Sequence, residues 1–270
     1  MTIPKRIVQV LVGPAGGVGF NFTEEDMEFS VKGYRGSKPN ECTVKISNLS
    51  SQKIAFLEKK NLVLQLSAGE NTPGILFRGS IQPRGVVTKN AQPERETEIK
   101  CVDGRRQWRD AKTAASYPNN TTVAAVVQDI LAQSTARGFA IAPGNTYPTG
   151  SFPQGYYHAG RWRDALTEIL YPRNFWWTIQ DRTIYVGPQD GLNAGNVPLL
   201  TPQTGLIGSP QKTQKGINFD AVLDPRIRPG WGVQVKSEFV SGTYRVVVRE
   251  HHGDSRGRKW MTRVQCENIK

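Results

Sequence analysis

The stretch Pro39-Asn40-Glu41-Cys42-Thr43-Val44-Lys45-Ile46-Ser47-Asn48-Leu49-Ser50 (PNECTVKISNLS) decides the fold class of this chain. From Cys42 to Ile46 apolar and polar residues alternate, and the alternation stops at a segment of Ser and Asn, which favour turns. Alternation at every second residue is typical of a β-strand with one buried face. The stretch therefore predicts a strand followed by a turn, in a protein built mainly of strands.

Apolar and polar residues also alternate in the segments on both sides of this stretch, up to about residue 103. A short helical turn is expected over 52–57, and the glycine-rich segment 13–19 is expected to be a hairpin loop. Further strands are predicted at residues 6–12, 28–34, 62–69, 75–81 and 97–102. Short strands separated by turn signals are typical of a β-barrel or a β-sandwich.

The middle of the chain changes to the period of helices. Apolar residues spaced by three and four predict two amphipathic helices, at 121–137 and from Trp162 to Leu170. Asn120 or Thr121 is the expected N-cap of the first helix and Gly138 its end, while Pro172 should end the second. The apolar stripes consist of Val123, Val126, Val127, Ile130 and Leu131 in the first helix, and of Trp162, Ala165, Leu166, Ile169 and Leu170 in the second.

A hairpin is predicted after these helices, with strands at 175–179 and 183–186 around a turn at 180–182. Trp176 and Trp177 could stack on a sugar, but adjacent strand residues face opposite sides, so at least one should pack on the helix that carries Trp162. We expect the centre of this module to contain Val123, Val127, Ile130, Leu166, Ile169 and one of the two tryptophans.

The remainder of the chain again has the pattern of strands. Turns are predicted at 201–202 and 208–210, and strands at 217–223, 232–237, 243–251 and 259–267. The whole pattern predicts three domains: a β-barrel over 1–103, a helix–helix–hairpin α/β module over 104–188, and a second β-barrel over 189–270.

The chain is strongly basic, with a formal net charge of +12 and a pI near 9.8 over 270 residues. The basic residues are scattered, however; Arg105-Arg106 and the interrupted segment 256–259 are the densest clusters. Aromatic residues are not interleaved with them as in RNA-recognition motifs. The charge therefore predicts attraction to polyanions or to an acidic partner protein, without indicating a reader of nucleic-acid sequence.

The three cysteines, Cys42, Cys101 and Cys266, lack the spacing of metal ligands, and we expect them to be buried thiols. No apolar run approaches the length of a membrane-spanning helix. The apolar run after Lys5 and Arg6 is too short for a signal peptide, and we interpret it as the first strand.

The stretch Glu250-His251-His252-Gly253-Asp254-Ser255-Arg256-Gly257-Arg258-Lys259-Trp260 (EHHGDSRGRKW) combines two histidines and two carboxylates. Adjacent strand residues face opposite ways, so His251 and His252 are poorly placed to bind one metal ion. The chain has one further histidine, the isolated His158. We interpret the stretch as a turn, and we expect assembly to survive replacement of both histidines.

Other signatures of catalysis are missing from the sequence. It has neither a Gly-x-Ser-x-Gly motif nor a phosphate-binding Gly-x-x-x-x-Gly-Lys loop. A glycosidase needs only two well-placed carboxylates, which leave no sequence signature. A hydrolase that acts through two carboxylates therefore stays an alternative, as does a basic β-barrel that binds nucleic acid.

Three groups of segments, taken in order, resemble a known family. They are PNECTVKISNLS (39–50), VLQLSAG (63–69) and ILFRGSI (75–81) in the first third; LTPQTGLIGSP (200–210) and LDPRIRPG (223–230) in the last third; and HGDSRG (252–257) before Trp260. The chain is similar over nearly its whole length to the baseplate (tail) hub proteins of tailed bacteriophages, which are related to the N-terminal part of type VI secretion spikes. The segment Ala68-Gly69-Glu70-Asn71 departs from the pattern, because it lacks the aromatic residue expected after the glycine.

The resemblance implies a mainly β fold with a small α/β module and two domains like the tail-tube subunit. It further implies a homotrimer that presents a pseudo-sixfold face to the hexameric tail tube and holds a trimeric central spike, lining the channel between them. Implied partners are the tail tube or distal tail protein, the spike, the tape-measure protein and baseplate wedge proteins, while genome DNA passes without specific binding and no membrane is involved.

The family has no catalytic residues to carry over, so no enzyme activity, cofactor or metal is expected. The alternative from the enzyme class is a tail-associated cell-wall hydrolase. The protein should be made in the host bacterial cytoplasm and become part of the virion tail. We also expect the excess positive charge on outward or subunit-facing surfaces, because three such charges around a narrow channel would repel one another.

Overall fold

The computed structural model describes residues 6–14, 17–36, 38–91, 94–103, 112–135, 138–192 and 197–269. The predicted class is confirmed: the chain is mainly β, with a small α/β module in the middle. The Arg105-Arg106 pair of the sequence analysis lies outside the described residues.

The first third contains seven strands and one short helix. The helix α1 begins after Ser50, whose hydroxyl accepts a hydrogen bond from the Lys53 backbone N–H, as an N-cap does. The elements are β1 (Arg6–Pro14), β2 (Phe20–Phe22), β3 (Met27–Tyr34), β4 (Glu41–Ser47), α1 (Ser51–Leu57), β5 (Leu62–Glu70), β6 (Gly74–Ala91) and β7 (Glu94–Val102). The short strand β2 was not predicted, and β6 continues well beyond residue 81.

The middle third contains two helices and seven strands, five of which the sequence did not predict. They are β8 (Lys112–Tyr117), β9 (Thr121–Thr122), α2 (Val123–Thr135), β10 (Ala140–Ile141), β11 (Ser151–Phe152), β12 (Tyr156–Arg161), α3 (Trp162–Leu170), β13 (Phe175–Gln180) and β14 (Thr183–Pro188). A 3-10 turn (Tyr171–Arg173) containing Pro172 follows α3. The predicted hairpin is confirmed, and Asp181 and Arg182 both have positive φ in its turn.

The predicted N-cap of α2 was one or two residues too early. Because the helix begins at Val123, Thr122 takes that place, and its hydroxyl accepts a hydrogen bond from the Ala125 N–H at 3.2 Å. The predicted end is confirmed: Gly138 has a φ of 84° and donates its N–H to the Thr135 carbonyl.

The last third contains six strands: β15 (Leu199–Leu200), β16 (Leu206–Lys212), β17 (Gly216–Val222), β18 (Gly232–Lys236), β19 (Ser241–Asp254) and β20 (Trp260–Asn268). Two predictions need correction here. Residues 208–210 are not a turn but part of β16, where the register is interrupted between Ile207 and Gln211. The stretch from Glu250 to Asp254 is the end of β19, so the predicted turn covers only 255–258.

One sheet of 13 strands runs through both β regions. Its main path is β16-β17-β20-β19-β3-β4-β7-β6-β5-β1-β2, with β18 pairing β15 and β19 beside it. The two regions meet where β19 pairs antiparallel with β3, from Val248 opposite Tyr34 to Asp254 opposite Glu28. The strands β3 and β19 lie far apart in the sequence, and their pairing joins the first third of the chain to the last third.

Three hydrophobic cores lie within this framework. The first fills the first third, although Leu223 and Trp260 also belong to it, and the third fills the last third. The second core unites α2, α3 and the hairpin, and it contains the predicted residues Val123, Val127, Ile130, Leu166, Ile169 and Trp177. The Trp177 ring lies 5.6 Å from the Trp162 ring, as expected. The domain boundaries at 103 and 188 stay a prediction.

Candidate assembly surfaces

The sheet has one polar side, opposite the cores, which we name the charged face. It comprises the outward residues of β17, β20, β19, β3, β4 and β7, with the end of β6. Along β3, for instance, Phe29 and Val31 point into the first core, while Glu28, Ser30 and Lys32 alternate with them on this face. The charged face therefore follows from the same alternation that predicted the strands.

Opposite charges are neighbours across the strands of this face. A single row of register partners runs from Asp220 through Arg263, Glu250 and Lys32 to Glu41, so that the sign alternates at every strand. Lys32 forms an ion pair with Glu250, and Arg263 lies 3.8 Å from Asp220. Such cross-strand pairs favour this register because like charges directly opposite each other would repel.

A second row of register partners crosses β3 four residues away from the first. It runs from Asp254 through Glu28 and Lys45 to Glu98, so that opposite charges are neighbours from Glu28 onward, whereas Asp254 and Glu28 are both acidic. Lys45 lies 3.3 Å from Glu96, and Lys100 lies 2.9 Å from Glu98. The Lys100 ammonium donates a hydrogen bond to Glu98, which keeps the pKa of that carboxyl below its ordinary value.

The end of this face near β16 forms a groove of about 540 Å³. Two carboxylates, Asp220 and Glu250, line it together with Arg263. Hydrogen bonding to Lys32 lowers the pKa of Glu250, so this carboxylate is ionised at neutral pH. A glycosidase acid needs the opposite shift, which would keep its carboxyl protonated.

On the core side of the same strands, a polar contact separates the first core from the third. Arg249 donates to His251 Nε2 at 2.5 Å and to the Leu76 carbonyl at 2.7 Å, and His251 Nδ1 lies 2.8 Å from the Thr262 hydroxyl. Arg249 and His251 are almost completely buried. Burial keeps the pKa of His251 well below its ordinary value and lowers that of Arg249 to about 10, so the imidazole is neutral while the guanidinium is charged.

This polar seam (Arg249, His251 and Thr262) has room because its neighbours are glycines. Gly33 lies opposite Arg249 in the register, and a Cβ there would lie 2.9 Å from the Arg249 Nε. Gly253 lies opposite Phe29, whose ring a Cβ would contact at 2.2 Å. The alternation in this strand does not show which of its sides is buried; the paired glycines are the signal that could have revealed it.

The α/β module is attached to the sheet by buried polar contacts. Asn40, in the stretch that opened the sequence analysis, donates to the Ile179 carbonyl at 3.1 Å and to Gln180 Oε1 at 3.0 Å. Gln180 in turn donates to the Tyr34 carbonyl at 2.9 Å. These contacts hold the hairpin of the module against the ends of β3 and β4.

Asp103 lies buried at the same junction. Its Oδ2 accepts a hydrogen bond from the Arg182 N–H at 3.4 Å. Burial, with the nearby charge of Asp181, raises the pKa of Asp103 to about 8. Because its side chain is enclosed, Asp103 cannot reach a substrate in solution.

Several large apolar side chains are exposed at the rim of the molecule. Phe239, in the turn between β18 and β19, is 68% exposed, and Tyr157 on β12 is also exposed. Leu11 on β1 and Ile207 on β16 are half exposed near the two ends of the sheet path. Open sheet edges with apolar residues are typical of association surfaces.

The surroundings of the histidine pair and of the cysteines indicate structural roles. His251 lies in the seam, whereas His252 is on the charged face, 3.6 Å from Glu250. The cysteines are free and buried as expected. Cys42 and Cys101 are register partners on β4 and β7, although their sequence positions are distant.

Within the described residues, no group of three His, Cys, Asp or Glu side chains could hold a metal ion. Nor does any helix there have the length and apolarity needed to cross a membrane.

Solved structures with the same fold come from phage tails and secretion spikes. The tail protein from Neisseria meningitidis MC58 is 12% identical with a TM-score of 0.65, covering 98% of this chain and 97% of that one. The 43 kDa tail protein of prophage MuSo2 from Shewanella oneidensis is 9% identical with a TM-score of 0.64, covering 97% and 98%. The c3393 protein of E. coli, a type VI secretion component described as similar to the T4 tail proteins gp27 and gp5, is 12% identical with a TM-score of 0.60, covering 96% and 77%.

These likenesses show that this chain shares the fold of tail and spike proteins. Residues 7–266 match the family model described as baseplate hub gp41. The chain belongs to this family of baseplate hubs. No curated protein sequence matches it significantly.

Proposed function

We propose that this protein is the structural hub of a phage tail baseplate, a homotrimer that joins the hexameric tail tube to a trimeric central spike. The observation that carries the proposal is the pairing of β19 with β3, which joins two β regions, each with its own core, into one sheet. Each chain then contributes two similar units, and three chains contribute six. A ring of this kind has threefold symmetry toward the spike and pseudo-sixfold symmetry toward the tube.

The exposed sheet edges support ring formation. The strands β2 and β16 end the sheet path on opposite sides, and each has a half-exposed apolar residue on or beside it. Pairing or covering these edges in a closed ring removes an association hazard that an isolated subunit would have. The tail tube or distal tail protein and the spike are the partners that this arrangement needs, and tape-measure and wedge proteins would be its neighbours in the virion.

The role we propose is not enzymatic. The groove that contains Asp220 and Glu250 presents carboxylates paired with cations, and Asp103, whose pKa is raised, is enclosed at a junction. Neither arrangement supplies an accessible acid beside an accessible base. The cell-wall hydrolase is thus the weaker candidate, and incubation with peptidoglycan provides its direct test.

The molecular mass of the purified protein in solution, with and without the spike, tests the hub proposal. We expect a trimer of the 30.0 kDa chain, at least when the spike is present. Cryo-electron microscopy of assembled tails should place three copies at the junction of tube and spike. A sixfold ring of this chain, or a position away from that junction, would refute the proposal.

A further inference from the structure

We infer that one end of the last β region, with Phe239 at its tip and Lys212, Lys215 and Lys236 around it, is the surface of this chain that docks the central spike. We name this surface the basic tip. The inference rests on the proposed function, which supplies the spike as a partner. It adds which residues make the contact and what the spike must present to them, an apolar pocket bordered by carboxylates.

The hairpin of β18 and β19 projects beyond the strand β20 beside it. β20 ends at Asn268, opposite Tyr244, whereas β19 already begins at Ser241. At about 3.4 Å per residue, this difference extends the hairpin by roughly 10 Å. The Ser237 N–H donates to the Val240 carbonyl at 2.8 Å, and the Ser237 hydroxyl accepts from the Val240 N–H at 3.1 Å. These two hydrogen bonds close the turn at the end of the hairpin.

Phe239 lies in this closed turn and is 68% exposed. Among the described residues of the two β regions, no other aromatic side chain has so much exposure. Aromatic rings are common anchors of protein interfaces, and an anchor that is already held in place loses little conformational freedom when it binds. The exposed ring therefore favours a partner with an apolar pocket of matching size.

Three lysines lie at the same end of the sheet. Lys236 is the last residue of β18 and Lys212 the last of β16, while Lys215 lies in the turn after β16, where its carbonyl accepts a hydrogen bond from the Asn268 N–H at 2.8 Å. All three are exposed, and none takes part in an ion pair among the described residues. Glu238, in the hairpin turn, offsets one of these charges, which leaves +2 (3 − 1) on the tip.

The lysines of the charged face are different, because Lys32 and Lys100 each contact a carboxylate of their own chain. Those of the basic tip keep their charge for carboxylates of a partner. Charges at the border of an interface mainly speed association and select the partner, while the apolar anchor supplies most of the affinity. The basic tip thus has both parts of a docking surface for an acidic protein.

The number of copies in the ring selects the spike over the tube. A hexameric tube has six equal subunits and would contact both β regions of each chain in the same way. Phe239 belongs to the last β region alone, so a ring of three chains presents three such anchors. A trimeric spike can engage all three at equal positions, whereas alternate subunits of a tube would meet none.

The anchor is tested with two variants that each remove one exposed ring. Phe239→Ser changes the basic tip, and Tyr157→Ser, which removes a ring that is 70% exposed on the α/β module, is its matched control. Both should melt like the wild type, because exposed side chains contribute little to stability. In titrations of the trimer with the spike, we expect Phe239→Ser to weaken binding on the order of tenfold or more and Tyr157→Ser to bind like the wild type.

The charged rim is tested with two double variants of equal net charge. Lys215→Glu with Lys236→Glu reverses the rim, and Lys59→Glu with Lys60→Glu changes two exposed lysines near α1. We expect the rim variant to bind the spike about tenfold more weakly at low salt and the difference to shrink as salt is added. The control variant should bind like the wild type at every salt concentration.

Binding of the tail tube protein, measured with the same four variants, should not change. Equal affinity of the tip and control variants for the spike would overturn the inference. A loss of tube binding in place of spike binding would overturn it as well, because the tip would then face the tube. In both cases the wild-type trimer still binds the spike, and the hub proposal stands. A wild-type chain that forms no trimer or does not bind the spike contradicts the hub proposal and, with it, this inference.

Discussion

At the scale of single residues, the two histidines that attracted attention in the sequence have different roles. His251 connects a buried guanidinium to a buried hydroxyl, whereas His252 is partly exposed beside Glu250. Their adjacency in a strand places them on opposite faces of the sheet, as expected, and it puts one of them in the interior. That assembly survives replacement of both histidines stays a prediction, but replacement of His251 should affect stability.

We expect His251→Leu to destabilise the protein by about 2 kcal/mol or more, because Arg249 would lose an acceptor while staying buried and charged. Denaturant unfolding measures the change. His252→Leu is the matched control and should change stability by less than about 1 kcal/mol. Equal stability of the two variants would show that the seam contributes nothing.

Asp103 should give the stability a pH dependence. Its pKa is about 8 in the folded protein and near 3.8 when unfolded, so the folded state binds the proton more tightly. The stability that the protonated Asp103 contributes is complete below about pH 4 and is lost as the pH rises through 8. From pH 6.5 to 8, Asp103→Asn should abolish a loss of about 1–2 kcal/mol, and the contribution of His251 is the same in this variant and the wild type. Asp164→Asn, which changes an exposed carboxyl of α3, should keep the wild-type slope in urea titrations at each pH.

At the scale of elements, the periodicity of the sequence predicted what depends on local burial. The strands around Val44 and the two helices of the module lie where alternation and three-to-four spacing placed them. The missed elements include short strands such as β2 and β9 and the longer pair β8 and β12, whose pairing depends on partners elsewhere in the sequence. The bulged strand β16 was missed for another reason: Gly208-Ser209-Pro210 has the composition of a turn, but the residues before and after it pair with β17.

The charged face was harder to predict from the sequence than the fold. Lys32 and Glu250 alternate with buried residues in their own strands, but nothing local shows that these strands are neighbours. The pairing of β3 with β19 joins residues more than 200 positions apart, and the charge alternation exists only across that pairing. The cysteine pair Cys42 and Cys101 was missed for the same reason.

The helix α2 provides the test of the module's core. Ile130→Asp should unfold the module, since an unpaired buried carboxylate costs several kcal/mol. Tryptophan fluorescence reports it directly, because Trp162 and Trp177 belong to the same core. Gln128→Asp, on the exposed side of α2, should melt like the wild type. A normally melting Ile130→Asp variant would mean that the buried side of the helix is assigned wrongly.

At the scale of the whole molecule, the joint between β19 and β3 should make the two β regions unfold together. Gly253→Ala would force the Phe29 ring away from this joint, and overpacking of this kind costs about 1–3 kcal/mol. We expect calorimetry to show one transition for both β regions in the wild type and separated transitions in this variant. In Gly187→Ala, the added Cβ would have ordinary contacts with Trp176 at 3.5 Å, and the melting profile should keep its shape. A single unshifted transition in Gly253→Ala would show that the regions are coupled elsewhere.

The same joint also decides how the molecule bears mechanical load. In an antiparallel pair the hydrogen bonds run across the strands. A force that slides β19 along β3 therefore loads all of these bonds at once, while a force that peels the two strands apart from one end breaks them one after another. The protein is therefore stiff in one direction and weak in the other. A tail that transmits tension along these strands would use the strong direction, and the buried link from Arg249 to Leu76 would resist the tearing that begins at an edge.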